Sequence, residues 1–321
     1  MPESRRKGPR GLPAIASARE VRSRRGGGGW TTQAGLVAAG AIVAALVAHR
    51  IVGDRELSSG KQALLAKQRA VASTLGSEWY PLRDELEADV MSAVADYAGD
   101  DVQPQARLGA FRSQPGLYLR MRLAEATGRD GIRKVAADAR KDAFAACLLR
   151  ERNDVGLRGE IDGGAFAEQP WNLGRAYAAA RILTEDWVTA VRDADDDMRL
   201  RIFTDQYDKA VREEIPLAID VVKRAEFFLF VLDEDVPEAR AFADGGPPTE
   251  EALQLVPHPA RIHLVDLKSR KEILRVRRSG AARILPAGER VVTDPETRDA
   301  MQRQANNCSL ATQVEAALVS P

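Results

Sequence analysis

The stretch WTTQAGLVAAGAIVAALVAHRIVG, residues 30–53, decides how the rest of this sequence is interpreted. No charged residue occurs from Gly26 to Ala48, and the stretch lacks the polar stripe at helical period that a helix on a protein surface carries. As an α-helix, residues 34–52 would be about 28 Å long, close to the roughly 30 Å hydrocarbon core of a bilayer. The pattern therefore predicts a single transmembrane helix over residues 30–53.

Two alternatives to an uncleaved membrane anchor arise from the same residues. Residues 34–52 contain seven alanines and two glycines, so the span is weakly hydrophobic and an ordinary helix is one alternative. A cleaved signal peptide is the other, but Leu46 stands where cleavage after Ala48 needs a small residue. An aromatic residue and an arginine at the ends favour an anchor. The predicted anchor residues are Trp30, Leu36, Ile42, Leu46 and Arg50.

The charges on either side of this stretch predict its orientation. Residues 1–33 carry eight basic and two acidic groups, a net charge of +6, so the remainder of this neutral chain carries −6. The positive-inside rule places such a tail, residues 1–29, in the cytoplasm. The sequence thus predicts a single-pass inner-membrane protein with a periplasmic body, in contact with lipid through its helix and basic tail. Aromatic residues make up only 5% of the chain, which disfavours nucleic acid as a partner.

Periodicity after the span predicts mostly helices. Residues 54–98 form a helical stalk, either a coiled-coil seam or a packed part of the domain. Residues 99–238 form a helical domain, with helices over 116–127, 132–151 and 170–194. FFLFVL, 227–232, fits either a helix end or a buried strand. A Pro/Gly-rich linker over 239–260 precedes a β-hairpin element over 261–292 and C-terminal helices over 293–321. The predicted fold is therefore mainly α, with a small C-terminal antiparallel β element (α+β).

The sequence contains no motif that identifies a catalytic or cofactor site. Nucleophile-elbow, phosphate-loop, dinucleotide and metalloprotease patterns are absent, and no family is recognised. His258 and His263 lack nearby ligands for a metal, and Asp193–Asp197 departs from a calcium loop at its decisive positions. We therefore expect no metal and no cofactor.

The two cysteines, Cys147 and Cys308, allow one disulfide bridge in an oxidising compartment. A buried free thiol at Cys147 is the alternative, since AFAACLLR around it is apolar and helical. Spacing alone does not decide between them.

These observations predict a non-enzymatic role more readily than a catalytic one. The first hypothesis is a domain that binds a protein partner or itself, as an envelope assembly component. The alternatives are a hydrolase with an unlocated pair of acidic residues, since such pairs are set in space and not in sequence, or a ligand-sensing domain that signals through a partner.

Overall fold

The computed structural model describes residues 29–106, 108–112, 114–140, 142–149, 170–242, 248–282 and 294–319, with most side chains from Arg55 onward. The chain divides into two compact units, Met1–Glu56 and Leu57–Pro321. Of the first unit, the structure describes a helix backbone that begins at Gly29. The basic tail, and with it the prediction that this tail contacts lipid, lies outside the described residues. The sheet and its two large hydrophobic cores belong to the second unit.

The predicted transmembrane helix is wrong. Among the residues that the structure describes, no helix is long and apolar enough to cross a membrane. Residues 30–53 are the beginning of one longer helix, α1 (Gly29–Ser92), and their alanines and glycines supply little apolar surface. The predicted single-pass topology and the predicted inner-membrane location both depend on that span, so these two predictions are also wrong. The side chains of the proposed anchor residues precede Arg55 and lie outside the described residues: Trp30, Leu36, Ile42, Leu46 and Arg50.

The C-terminal half of α1 packs onto the domain. Leu64, Trp79, Leu86 and Val90 are buried, at helical spacing, in the larger of the two cores. The Gln68 side-chain amide also donates a hydrogen bond to the Ile182 carbonyl, at 3.2 Å. These buried residues therefore pack on their own domain, which is one of the two arrangements predicted for this segment.

Within the described residues, six strands form one mixed sheet: β1 (Asp101–Val102), β2 (Gly116–Arg122), β3 (Trp171–Asn172), β4 (Phe227–Asp233), β5 (Pro259–Asp266) and β6 (Lys271–Ser279). Their order in the sheet is β1–β6–β5–β4–β2–β3. The strands β3, β2 and β4 run parallel to one another, whereas β4, β5, β6 and β1 pair antiparallel. Both edge strands of this sheet are two residues long.

The predicted fold class, mainly α with a small C-terminal antiparallel element, is therefore wrong. A hairpin, β5–β6, does lie in the region where one was predicted, but it forms only the antiparallel side of a larger sheet. Residues 227–232 lie in β4, and the helix predicted over 116–127 begins instead as strand β2. Both strands are buried along their whole length. Because strands buried on both faces need not alternate apolar and polar residues, period two is weak in them.

Helices cover both faces of the sheet and make three layers. One face, which includes Leu119 and Phe230, packs against α1, α3 and α5–α8. The other face, which includes Leu229 and Ile262, packs against α2, α4 and α10. The helices after α1 are α2 (Leu108–Arg112), α3 (Arg129–Ala136), α4 (Ala143–Leu149), α5 (Gly174–Ala180), α6 (Glu185–Arg192), α7 (Asp197–Lys209), α8 (Ile215–Arg224), α9 (Glu250–Leu255) and α10 (Pro295–Val319).

A disulfide bridge joins α4 to α10 across the second face. Cys147 and Cys308 are bonded, and their Cα atoms lie 5.2 Å apart although 161 residues separate them in sequence. The neighbouring residues Leu148 and Leu310 are buried in the same core. The bridge therefore ties together two helices that cover the sheet from widely separated parts of the chain.

The start of β2 needs a residue without a side chain. A Cβ atom placed on Gly116 would lie 2.0 Å from the Phe227 ring, which is itself fully buried on the adjacent strand. Gly109, on α2, has no atom within 4 Å of the corresponding position. The two glycines thus differ in the space around them.

We predict that Gly116→Ala lowers the free energy of unfolding by about 1–3 kcal/mol, because the buried Phe227 ring cannot move aside without strain. Gly109→Ala is the matched control and should raise stability by about 0.5–1 kcal/mol, since alanine is the better helix former. Urea unfolding followed by circular dichroism measures both. Equal stability of the two variants would contradict the close approach of β2 and β4.

Candidate functional site

A buried charged cluster lies at the carboxyl ends of the parallel strands β2 and β4. Its centre is Arg120 of β2, whose Nε and Nη2 donate to the two carboxylate oxygens of Asp233 on β4, at 2.7 and 2.9 Å. Nη1 donates to Asp142, before α4, and to the side-chain oxygen of Asn307 on α10, at 2.7 Å. We call Arg120, Asp142, Asp233, His258 and Asn307 the carboxyl-edge cluster.

His258 completes this cluster from the residue before β5. Its Nε2 lies 2.8 Å from a carboxylate oxygen of Asp233, and its Nδ1 lies 2.9 Å from the Val256 carbonyl oxygen. Both ring nitrogens therefore face oxygen acceptors. The ring is 4% exposed, so the imidazole serves as a hydrogen-bonded part of the interior.

The carboxyl groups of this region have pKa values displaced in opposite directions. Burial alone would raise the pKa of Asp233, but the charge of Arg120 and the hydrogen bonds from Arg120 and His258 outweigh it and lower the pKa to about 2. Burial raises the pKa of Glu250, at the start of α9, to about 8, with the charges of Asp233 and Asp142 adding to the effect against that of Arg120. Carboxyl groups whose pKa values are displaced in opposite directions occur at catalytic sites, and they also occur in structural ion pairs.

The hydrogen bonds of the carboxyl-edge cluster are directed inward. Ligands of open α/β sheets usually bind beyond the carboxyl ends of the parallel strands. Here Asp233 is engaged by Arg120 and His258, while Asp142 is engaged by Arg120 and the Tyr118 hydroxyl. The cluster therefore fastens β2, β4, β5, α10 and the start of α4 to one another, and its groups bind each other instead of facing a ligand.

A second polar site lies on the opposite face of the sheet, between β5, β6 and the chain that follows α1. It is a cavity of about 250 Å³. We call it the His263 pocket. Its lining residues are Ser92, Ala93, Ala95, Asp96, Tyr97, Ala98, His263, Glu272 and Arg275.

Two contacts hold the His263 ring in place, and one of its ring nitrogens has no hydrogen-bond partner among the described residues. Its ring is stacked on Phe230 of the neighbouring strand, with a centroid distance of 4.9 Å and an interplanar angle of 6°. Its Nδ1 lies 2.6 Å from the Glu272 carboxylate. The side chain is 1% exposed, yet Nε2 has no hydrogen-bond partner among the described residues. A buried polar atom without a partner is rare, and it marks this ring nitrogen as a candidate binding group.

The outer wall of the pocket is held in place by arginines. Arg261 donates to the Ala93 and Ala95 carbonyls, at 3.3 and 2.6 Å. Arg275 donates through Nε to the Gly99 carbonyl and through Nη1 to Glu272, both at 3.0 Å. The segment after α1 is thereby anchored over β5 and β6.

Of the residues singled out in the sequence, the structure brings Cys147 and Cys308 together, whereas His258 and His263 belong to the two different sites. Within the described residues no group of three or more His, Cys, Asp or Glu side chains could hold a metal ion. Asp196 caps α7 by accepting a hydrogen bond from the Arg199 backbone N–H at 2.7 Å. Asp196 therefore belongs to the connection between α6 and α7.

Sequence reasoning missed the residues that define both sites. Arg120 and Asp233 are 113 residues apart, and Glu272 lies nine residues from His263, on the next strand. The hairpin prediction did place His263 and the vicinity of Glu272 on adjacent strands, which was the one available signal. Neither a family model, nor a curated protein, nor a solved structure matches this chain.

Asp233→Asn should lower the free energy of unfolding by about 3 kcal/mol, because it leaves the buried Arg120 with a reduced set of ionic partners. Asp235→Asn is the control. Asp235 pairs with Arg122, but its side chain is 40% exposed, so the loss should stay below about 1 kcal/mol. Urea unfolding at pH 7 distinguishes the two variants, and similar losses in both would argue against the central role of Arg120.

The stability of the protein should also fall as the pH is lowered from about 4 to about 2. The pKa of Asp233 is about 2 in the folded protein and about 3.9 in an unfolded chain, so its charged form favours folding. This contribution, about 2 kcal/mol, is present above pH 4 and is lost as the pH falls through the folded pKa. Unfolding free energies measured between pH 6 and pH 2 should decline less steeply in Asp233→Asn than in the native chain.

Proposed function

We propose that this domain binds a small polar molecule in the His263 pocket and acts as a ligand-sensing domain. The observation that carries the proposal is the unpaired Nε2 of His263, a polar atom of a 1% exposed side chain that lines a cavity. Burying such an atom without a hydrogen bond costs free energy, and only a molecule that forms a hydrogen bond with this nitrogen would remove that cost.

The geometry of the ring supports a binding role. Stacking on Phe230 and the hydrogen bond to Glu272 hold the imidazole in one orientation before any molecule arrives. A group that is already oriented loses little conformational entropy on binding, so a small ligand can be bound with few contacts. The cavity volume of about 250 Å³ lies below the roughly 300–1,000 Å³ of sites for drug-sized ligands.

The location of the pocket supports sensing. Ser92, which lines it, is also the last residue of α1. A molecule bound there contacts the point at which α1 ends, so its presence can alter how the helix end packs. Any output would then be read by a partner, as the ligand-sensing hypothesis requires.

The other two hypotheses stay predictions. For partner binding, α7 exposes Met198 and Ile202 one turn apart, at 69% and 49% exposure, but isolated exposed apolar residues are common on proteins. For hydrolysis, Asp142, Asp233 and Glu250 do converge on one edge of the sheet. The first two, however, are engaged by Arg120, which leaves them poorly placed to act on a substrate.

The test uses the histidine side chains as internal reporters. The chain has three histidines, so ¹⁵N-labelled imidazole signals can be assigned individually. On titration with a set of small neutral, cationic and anionic molecules, at least one should shift the His263 signals saturably. The His258 signals should not move, because both of its nitrogens are engaged.

A variant confirms the assignment. His263→Asn keeps an amide near the Nδ1 position, within reach of Glu272, but has no atom at the Nε2 position, so binding measured by calorimetry should weaken at least tenfold. Failure of every molecule in the set to shift the His263 signals would overturn the proposal, as would unchanged affinity in His263→Asn.

A further inference from the structure

We propose that α9 is a pH-sensitive clasp on the carboxyl-edge cluster: the protonated side chain of Glu250 keeps the helix in place, and ionisation of Glu250 releases it. This inference does not depend on ligand binding in the His263 pocket. It rests on the hydrogen bonds that attach α9 to the cluster and on the carboxyl groups gathered around the Arg120 guanidinium group.

Hydrogen bonds attach α9 to the cluster at its middle and at its end. The Gln254 side-chain oxygen accepts from Nδ2 of Asn307, at 3.0 Å, and its backbone oxygen accepts from Nδ2 of Asn306, at 2.9 Å. Just after the helix, the Val256 carbonyl oxygen lies 2.9 Å from Nδ1 of His258. Because Asn307 and His258 belong to the carboxyl-edge cluster, α9 lies directly against it.

Glu250 joins the start of α9 to the same set of hydrogen bonds. The Gln254 side-chain amide donates through Nε2 to Oε1 of Glu250, at 3.0 Å, while its oxygen accepts from Asn307. Asn307 in turn accepts from Nη1 of Arg120, at 2.7 Å. Three hydrogen bonds in sequence therefore connect the Glu250 carboxyl group to the buried guanidinium group.

The charges around Glu250 disfavour a further negative charge. Asp142 and Asp233 both accept hydrogen bonds from Arg120, so two carboxylates already surround this guanidinium group. An ionised Glu250 would add a third carboxylate in a partly buried position, where like charges repel one another strongly. Burial raises the pKa of Glu250 to about 8. The charges of the neighbouring carboxylates add to this effect, and the charge of Arg120 opposes it.

Several elements present groups to this part of α9. The helix α10 faces it with the amides of Asn306 and Asn307, which do not titrate. The turn Pro237–Phe242 packs on it through Ala239. The titratable and charged groups of the surrounding elements are Tyr118 and Arg120 on β2, Glu125 after β2, Asp142 before α4, Asp233 on β4, His258 before β5, and the exposed Glu238 and Arg240 of the turn.

Ionisation of Glu250 weakens the attachment of α9. In a released helix the carboxyl group is solvated and has the ordinary glutamate pKa of about 4.3. Between that value and about 8, the attached form binds a proton that the released form lacks, so each pH unit favours release by about tenfold. Above about pH 8 both forms are ionised and the preference changes no further. Release separates Gln254 from Asn307 and exposes the carboxyl-edge cluster to water.

Hydrogen exchange at backbone amides of the full chain tests the clasp. The Leu253 amide donates to the Thr249 carbonyl within α9, and its protection factor should fall several hundredfold from pH 5 to pH 9. Protection factors are corrected for the intrinsic exchange rate at each pH, so the fall measures release. The Phe230 amide, on a strand that is paired on both sides, should stay better protected than Leu253 at every pH.

Glu250→Gln and Glu251→Gln form a matched pair of variants. Glutamine has nearly the shape of a protonated glutamate and does not ionise, so Glu250→Gln should keep Leu253 protected and remove the pH dependence. Glu251 is the next residue and is exposed, so Glu251→Gln should retain the full dependence. In the native chain with ¹³C-labelled glutamate, the Glu250 carboxyl signal should titrate with a midpoint near pH 8.

Three results would overturn the proposal. The first is an equal pH dependence of Leu253 protection in Glu250→Gln and in the native chain, and the second is a Glu250 midpoint near pH 4. The third is equal protection of Leu253 and Phe230 at every pH, since α9 would then open only when the whole domain unfolds. None of these measurements involves the His263 pocket, so failure of the clasp and failure of the proposed function are distinguishable.

Discussion

The buried ion pair between Arg120 and Asp233 determines how the layers of this protein fit together. It joins the adjacent parallel strands β2 and β4, where neither group is exposed to water. An unpaired guanidinium there would be very unfavourable, so Asp142 and Asn307 must also reach Arg120 from the layer that covers the second face. Buried ionic groups do not necessarily add to net stability, but they allow few alternative arrangements. In this protein they hold β2, β4, α4 and α10 in one arrangement relative to one another.

Much of the helical part of the fold could be predicted from the sequence, whereas the centre of the sheet could not. The helix of residues 185–192 and the hairpin of residues 259–279 show clear periodicity, because one side of each faces water or a polar turn. FFLFVL in β4 is buried on both faces, so it contains no polar residue to reveal a period. Its partner β2 includes Arg120 and Arg122, two charged residues that suggest an exposed face although both are buried in ion pairs. The prediction of a membrane span was wrong for a related reason. A run of residues without charges does not by itself distinguish a weakly hydrophobic helix from a helix that crosses a membrane.

The candidate site was less predictable than the fold. Each of its contacts joins residues from different elements. The decisive property of His263 is that one ring nitrogen has no partner in the part of the chain that the structure describes, and such a property has no counterpart in sequence. The two cysteines were visible as candidates for a bridge, yet only the pairing of α4 with α10 brings them together. The hairpin prediction came nearest, because it placed His263 on the strand next to the one that carries Glu272.

The two-residue strands at the edges of the sheet have a consequence for association. A long, flat, apolar edge strand offers unpaired backbone groups to foreign chains and promotes aggregation. Here β1 covers only Leu274 and Arg275 of β6, and β6 carries three further basic residues: Lys271, Arg277 and Arg278. Charged side chains along such a border are solvated by water, and pairing the border with a second copy would bury them. Growth of the sheet from one molecule into the next is thereby discouraged at this edge.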